Sequence, residues 1–129
     1  MLPLCREERI GAIPYSPLAS GRLTRDWSSE STLRSATDQI AKAKYDATAE
    51  TDRQIVERVA ETAEKHGVPR THIALAWLLQ TEPVTAPIIG ATKIAHLEEA
   101  VGALSVQLTP EDVTYLEEPY VPHRIVGHQ

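Results

Sequence analysis

Two short apolar runs constrain the fold of this chain more than any other feature of its sequence. The first, Ile10–Tyr15, is broken by Gly11 and closed by Ser16-Pro17, and the second, Ala86–Gly90, lies in a proline-rich stretch. Apolar runs that alternate with helical segments are typical of buried strands in a parallel sheet. Two parallel strands so far apart in sequence cannot bury their own edges. The pattern therefore requires either strands from elsewhere or a different fold class.

Helical patterns fill most of the remaining sequence. Apolar residues from Ile55 to Ala63 fall on one helical face, and Gly67 follows as a helix stop. Thr51-Asp52-Arg53-Gln54 fits a capping box at the start of this helix. The other predicted helical segments are the end of a helix at Met1–Arg9, an almost continuously apolar helix at Thr71–Gln80, a helix capped by Thr92 that runs through Leu104, and a helix from Thr109-Pro110-Glu111-Asp112 to near Pro119.

Length and charge narrow the range of functions. The 129 residues allow one domain, and 13 basic against 18 acidic side chains give a net charge of −5. This charge disfavours a nucleic acid or an anionic membrane as partner. The single cysteine, Cys5, excludes an internal disulfide and a cysteine zinc cage. No membrane-spanning run and no leader pattern is present in the sequence, so we expect a cytoplasmic protein.

Local chemistry marks two candidate anion sites. The segment Tyr15–Leu23 follows the first apolar run and offers serine hydroxyls, Gly21 and backbone amides to a phosphate. Gly90-Ala91-Thr92-Lys93 leads from the second run into a helix whose amino-terminal N–H groups attract anions. Taken alone, the local features of each segment favour an ordinary turn, and Trp27 is either a ring that closes over a ligand or one that packs the loop. The five histidines show no metal-binding spacing, so no metal site is predicted.

Together these segments resemble the carboxy-terminal part of the aldo/keto reductase family. The residues that carry the resemblance include the Ser-Pro-Leu loop of Ile13–Leu23, Ala-Leu-Ala-Trp within Ile73–Leu79, and Ile-Ile-Gly-Ala within Ala86–Thr92. Met1–Cys5 also contributes to this resemblance. The closing segments Leu116–His123 and Val126–His128 are similar to the bacterial YajO-type branch.

The resemblance implies a fold, a cofactor and a binding site. The fold would be α/β, the carboxy-terminal portion of a (β/α)₈ TIM barrel over residues 1–129, mostly helical as it stands. Ile10–Tyr15 would be its seventh strand and Ala86–Gly90 its eighth, and barrels of this kind often hold phosphate in the loops after these strands. The implied cofactor is NADP(H). The residues implied to bind it are Tyr15 on the nicotinamide, Ser16, Leu18, Ser20 and Gly21 on the pyrophosphate, Arg34 on the 2′-phosphate, and Thr92, Lys93, His96 and Glu99 at the adenosine end.

Two departures from the family pattern affect function. Gly90-Ala91 stands where many members have a Lys-Ser pair, which leaves Lys93 and Arg34 as the implied substitutes. The family's catalytic Asp, Tyr, Lys and His belong to the amino-terminal half of the barrel and have no counterpart here. We therefore expect no catalytic residue in this chain and no reductase turnover by the chain alone.

Several alternatives and partners follow from this interpretation. The chain could be a non-catalytic nucleotide-binding or assembly module that completes a split barrel. Ile55–His66, Gly67 and Thr71–Leu79 also vaguely resemble a helix-turn-helix, although Ala, Leu and Trp cannot read base edges. A small carbonyl compound is the expected substrate if the barrel is complete. A complementing amino-terminal half, or a second copy bound through exposed barrel edges, is the expected protein partner.

Overall fold

The computed structural model describes residues 1–27 and 48–122 of the chain. Arg34 and most of the predicted long loop lie outside the described residues, as does the tail from His123 onward. Helices dominate the described part, as predicted. They are α1 (Leu2–Glu7), α2 (Ala49–His66), α3 (Arg70–Leu79), α4 (Ile94–Gly102) and α5 (Pro110–Glu117), with 3₁₀ turns at Ala19–Gly21 and Ala103–Ser105.

The helix ends test the predicted start and stop signals. Gly67 ends α2 in the left-handed conformation, with φ of 64° and its amide donating to the carbonyls of Ala63 and Glu64, which confirms the predicted stop. The predicted capping box at Thr51–Gln54 is wrong, because α2 begins at Ala49 and the Thr51 hydroxyl donates to the carbonyl of Thr48 at 2.9 Å. The helix therefore begins two residues before Thr51, which lies inside its first turn and not at its cap.

The predicted cap is present at the start of α5 and absent at the start of α4. Thr109 caps the predicted start of α5, and it forms with Asp112 a capping box in which each side chain accepts a hydrogen bond from the other residue's backbone amide. The cap predicted at Thr92 is wrong: Lys93 occupies the capping position of α4 and makes no side-chain hydrogen bond to the helix.

The core lies where α2, α3 and α5 meet. Its buried residues are Val59, Ala63, Ile73, Ala76, Leu108 and Leu116, and Val68, Trp77, Val106 and Val113 pack against them. The stripe predicted on α2 and the apolar run predicted on α3 both face this core. The Trp77 indole adds a polar link, because its Nε1–H donates to Glu117 Oε1 at 2.9 Å.

A buried carboxylate joins the carboxyl end of α2 to α5. Asp112 is 3% exposed, and its Oδ1 accepts a hydrogen bond from Lys65 Nζ at 2.6 Å. Its Oδ2 accepts a hydrogen bond from the Thr109 amide at 3.0 Å and lies 2.8 Å from His66 Nε2. Burial alone would raise the pKa of Asp112. The hydrogen bonds from Lys65, the Thr109 backbone and His66 outweigh burial and hold that pKa well below its ordinary value.

The two apolar runs pair in parallel without forming regular strands. Ala12 bridges Val84, and Tyr15 bridges Ile88. The Ala12 amide donates to the Pro83 carbonyl at 3.0 Å, and the Ile88 amide donates to the Pro14 carbonyl at 2.8 Å. Within residues 1–27 and 48–122 these isolated bridges replace the predicted barrel strands seven and eight, and Val84 lies before the predicted strand Ala86–Gly90. Prolines explain part of the difference, because a proline lacks the N–H that a continuous ladder needs.

Candidate functional site

The loop that follows the first apolar run has an unusual backbone. Ser16, Ala19 and Ser20 have φ of 54°, 49° and 58°, and Gly21 follows with φ of 83°. Side chains with a Cβ rarely adopt this left-handed region, at a cost of about 1–2 kcal/mol each. Positions held in this way cluster at ligand-binding loops, where surrounding contacts fix them. The loop is thus a candidate binding element on its geometry as well as on its sequence.

Overlapping turns hold the loop in this shape. The Ala19 amide donates to the Ser16 carbonyl at 3.0 Å, and the Gly21 amide donates to the Leu18 carbonyl at 2.9 Å. These amides serve the fold of the loop, so Gly21 contributes its left-handed conformation rather than a donor for an anion. The hydroxyl groups of Ser16 and Ser20 are donors that the loop can offer to a ligand.

Arginine and tryptophan contacts tie the far end of the loop to the helices. Trp27 Nε1 donates to the Arg22 carbonyl at 2.8 Å, and the guanidinium carbons of Arg22 and Arg53 lie 5.5 and 5.9 Å from the centre of the Trp27 ring. Arg70 at the start of α3 donates to the Arg25 carbonyl at 3.0 Å. Of the two interpretations of Trp27, these contacts favour the one in which it packs the loop onto the body.

A cavity of about 410 Å³ lies between this loop, α3 and α4. Loop residues line one side of it, and residues from the second apolar run and from α4 line the other. Its described lining residues are Ser16, Pro17, Leu18, Ser20, Gly21, Thr24, Thr71, Leu75, Ile89, Gly90, His96, Glu99 and Ala100. A volume of this size is typical of small-molecule sites, which combine apolar walls with a few polar groups.

The cavity brings together two segments that are far apart in the sequence and that were both implied to bind the cofactor. Ser16, Leu18, Ser20 and Gly21 come from the loop, and His96 and Glu99 come from one face of α4, three residues apart. The topology explains the meeting: the paired apolar runs end side by side, so the segments that follow them emerge at the same edge. This is the edge at which α/β proteins place their ligands.

Other predicted binding residues lie away from the cavity lining. Tyr15 takes part in the bridge to Ile88, and its side chain is 65% exposed. Thr92 and Lys93 are exposed ahead of α4 and do not line the cavity. Arg34 lies outside the described residues.

Sequence reasoning missed the part that α3 plays in the site. Thr71 and Leu75, one turn apart on α3, form part of the cavity wall, and Thr24 from the loop completes it. Leu75 is buried at 2% exposure, so its local pattern reads only as core. No sequence signal marks these residues, because their role arises from the packing of α3 against the loop and α4.

Charge in the cavity is sparse. Among the described lining residues, Glu99 supplies the carboxylate and His96 the imidazole, and none is Lys or Arg. Elsewhere in residues 1–27 and 48–122, no group of three or more His, Cys, Asp or Glu side chains is arranged to hold a metal ion. Over the same residues, no helix combines the length and the apolar character needed to cross a bilayer.

Comparison with known proteins gives a consistent result. A versiconal hemiacetal acetate reductase of Aspergillus parasiticus is 43% identical over 129 residues, which covers 97% of this chain and 36% of the relative. An aldo-keto reductase of Metarhizium robertsii is 43% identical over 124 residues, or 96% of this chain and 33% of the relative. This chain therefore spans about a third of the length of these relatives.

The family match extends over nearly the whole chain. The sequence model of the aldo/keto reductase family matches residues 1–120, a range that contains both apolar runs, the loop and α4. Enzymes of this family are oxidoreductases with a TIM-barrel fold that generally use NAD(P)H. The chain belongs to the aldo/keto reductase family.

Proposed function

We propose that this chain is the carboxy-terminal, cofactor-binding part of an NADP(H)-dependent aldo/keto reductase that reduces carbonyl compounds to alcohols. The observation that carries the proposal is the cavity in which the Ser16–Gly21 loop meets His96 and Glu99 of α4. The resemblance implies that the two segments bind different parts of one dinucleotide, its pyrophosphate and its adenosine end. Their meeting in one cavity is what a dinucleotide site requires.

The polar residues of the cavity fit the hydroxyl and phosphate groups of such a cofactor by hydrogen bonding, since the described lining includes no Lys or Arg. Ser16 and Ser20 offer hydroxyl donors to phosphate oxygens, and Glu99 can accept hydrogen bonds from ribose hydroxyl groups. Leu18 adds apolar contact, and His96 supplies a ring that can donate to a phosphate. When bound, the cofactor supplies the hydride for carbonyl reduction. In this proposal the chain's own residues bind and orient it.

Catalysis is assigned to residues outside this chain. The proposal places no catalytic side chain in residues 1–129 and so includes no turnover by the chain alone. Because the chain spans 36% and 33% of the relatives described above, the reduction of a carbonyl substrate is proposed for a complete barrel. The position at the carboxy-terminal end, the preference for NADP(H) over NAD(H), the YajO-like branch and the cytoplasmic location stay predictions.

The helix-turn-helix alternative is not favoured. The segment that would read DNA is α3, and its Ile73, Ala74, Leu75 and Ala76 are all buried. A helix buried along these positions cannot present them to the major groove.

A pair of glycines allows a sharp test of cofactor binding. Gly21 and Gly67 both have positive φ, 83° and 64°, and an added Cβ would meet nothing within 4 Å at either position. Gly21→Ala and Gly67→Ala therefore impose a similar backbone strain, but only Gly21 lies at the cavity. We expect Gly21→Ala to weaken NADPH binding about 5–10-fold, measured by isothermal titration calorimetry, because about 1 kcal/mol of strain shifts the loop.

Gly67→Ala is the matched control and should bind NADPH as the unmodified chain does. Equal loss in both variants, or no measurable NADPH binding by the unmodified chain, would contradict the cavity as the cofactor site. Separately, oxidation of NADPH by the purified chain with 4-nitrobenzaldehyde would contradict the assignment of catalysis to residues elsewhere.

A further inference from the structure

One turn of chain follows the positive-φ residues of the loop that lines the cavity. The Gly21 carbonyl accepts hydrogen bonds from the amides of Thr24 and Arg25 at 3.3 and 3.1 Å, and from the Thr24 hydroxyl at 3.3 Å. The last carbonyls of a helical turn have no donor within the turn itself. The carbonyls at the end of this turn therefore depend on donors from other parts of the chain.

Two side chains donate to carbonyls of this turn. Trp27 Nε1 donates to the Arg22 carbonyl at 2.8 Å, and Arg70 Nη1 donates to the Arg25 carbonyl at 3.0 Å. Trp27 belongs to the same stretch of loop, whereas Arg70 is 45 residues further along the chain and is the first residue of α3. Of these two hydrogen bonds, it is therefore the one from Arg70 that joins the loop to a helix.

The hydrogen bond from Arg70 lies beside the cavity. Its acceptor, Arg25, follows Thr24, and its donor, Arg70, precedes Thr71; both threonines line the cavity. Arg25 and Arg70 are half-buried, so the bond is partly shielded from water. A hydrogen bond from a guanidinium is charge-assisted and stronger than one between neutral groups. This bond therefore fixes the loop side of the cavity wall against the α3 side.

We propose that Arg70 is a positioning residue for the cofactor, which it holds through the loop and does not touch. Its side chain donates to the Arg25 carbonyl, and Arg70 is not part of the cavity lining. The loop contains three residues with a Cβ and positive φ, Ser16, Ala19 and Ser20, and such residues relax unless other contacts hold them. A loop already held in its binding shape loses less conformational freedom when a ligand binds. The proposal rests on the proposed function, because it takes the cavity as the cofactor site.

The test combines two measurements on the 129-residue chain: NADPH affinity by isothermal titration calorimetry, and amide hydrogen exchange by mass spectrometry without NADPH. We expect Arg70→Ala to weaken NADPH binding about 10-fold, because part of the binding energy is then used to order the loop. Exchange at the amides of Ala19, Gly21 and Arg25 should become at least about 10-fold faster, while the amides of α2 and α5 should not change. Arg70→Lys keeps a charged donor and should bring the affinity back to within about threefold of the unmodified chain.

Arg58→Ala is the matched control. Arg58 Nη1 donates to the Tyr115 carbonyl at 2.6 Å, so it also joins two elements through a guanidinium and a backbone carbonyl, and it does not line the cavity. Its removal should leave the exchange of the loop amides unchanged and the NADPH affinity within about twofold, since distant sites act independently. A similar loss of affinity in Arg58→Ala and Arg70→Ala would overturn the proposal.

Other outcomes separate a positioning role from its alternatives. Unchanged NADPH affinity in Arg70→Ala would overturn the proposal and leave the cofactor site standing. Weaker binding without faster exchange in the loop would also overturn it, because Arg70 would then act on the cofactor directly. Faster exchange throughout the chain, or an Arg70→Lys variant no better than Arg70→Ala, would overturn it as well, since the loss would not come from the missing donor. Absence of NADPH binding by the unmodified chain would overturn the proposed function together with this role.

Discussion

Apolar side chains are buried on one side of this molecule and exposed on the other. The α2–α3–α5 body buries them: Ile73 is 0% exposed and Leu116 is 7% exposed. The side formed by α4 and the paired runs leaves them in solvent, where Ile13 is 63% exposed and Ile94 is 78% exposed. Within these two sides, α3 and α4 have comparably apolar sequences. The difference therefore comes from the elements that cover each side and not from residue composition.

The largest expected difference in stability between the two sides comes from truncating one isoleucine on each. Ile73→Ala removes a fully buried side chain and should lower the free energy of unfolding by about 3 kcal/mol, from lost burial and a remaining cavity. Ile13→Ala, on the open side, should change it by less than about 0.5 kcal/mol. Urea unfolding of both variants, followed by circular dichroism, checks the contrast. Similar losses would mean that the open side is covered in solution.

A smaller effect is expected from the carboxylate that links α2 to α5. Asp112→Asn weakens the hydrogen bonds from Lys65 and the Thr109 amide at a buried position, which should cost about 1–3 kcal/mol near neutral pH. The pKa of Asp112 is lowered in the folded chain from an ordinary value of 3.8. As the pH falls below that value, the unfolded chain takes up the proton first, so this stabilisation declines with falling pH.

The measurement for Asp112 is the unfolding free energy of both proteins from about pH 6 down to about pH 2. The difference in unfolding free energy between the unmodified chain and Asp112→Asn should become smaller as the pH falls through the acid range. Glu98→Gln, which removes an exposed carboxylate from α4, is the comparison variant and should show a small gap throughout. A difference for Asp112→Asn that does not change with pH would exclude the proposed link between protonation of Asp112 and stability.

The smallest effect probes the contact between the two sides. A Cβ at Gly102 of α4 would approach the His72 ring of α3, with Cε1 at 2.5 Å. Gly102→Ala should therefore cost about 1 kcal/mol, because the ring has to move and its packing is lost. In a His72→Ala background the same change should stabilise the chain by up to about 1 kcal/mol, since alanine favours a helix over glycine. Thermal unfolding of the double-mutant cycle checks this reversal of sign, and effects of the same sign in both backgrounds would contradict the contact.

The features that the sequence predicts best are those that depend only on residues close together in the chain. The stop at Gly67 and the cap at Thr109 were readable because each depends on only a few neighbouring residues. The caps assigned to Thr51 and Thr92 failed for a related reason. Their side chains fit the pattern, but the helix began earlier in one case and later in the other.

The candidate site likewise contains residues that the sequence could identify and residues that only the packing of the helices brings to it. The resemblance pointed to Ser16–Gly21, His96 and Glu99 through motifs that are continuous in sequence. It could not point to Thr71 and Leu75, which reach the cavity only because α3 packs between the loop and α4. Tyr15, Thr92 and Lys93 were named by the same motifs, yet they lie outside the cavity lining of this chain.

The sequence by itself determined the family, the helical segments and the two runs that pair in parallel, because these are encoded in short patterns and motif order. Only the tertiary structure decided which apolar faces are buried and which stay open. Burial depends on the elements available to cover a face, and a helix such as α4 carries the same stripe whether or not its neighbour is present. The structure alone therefore revealed that α2, α3 and α5 cover one another while α4 and the paired runs remain uncovered.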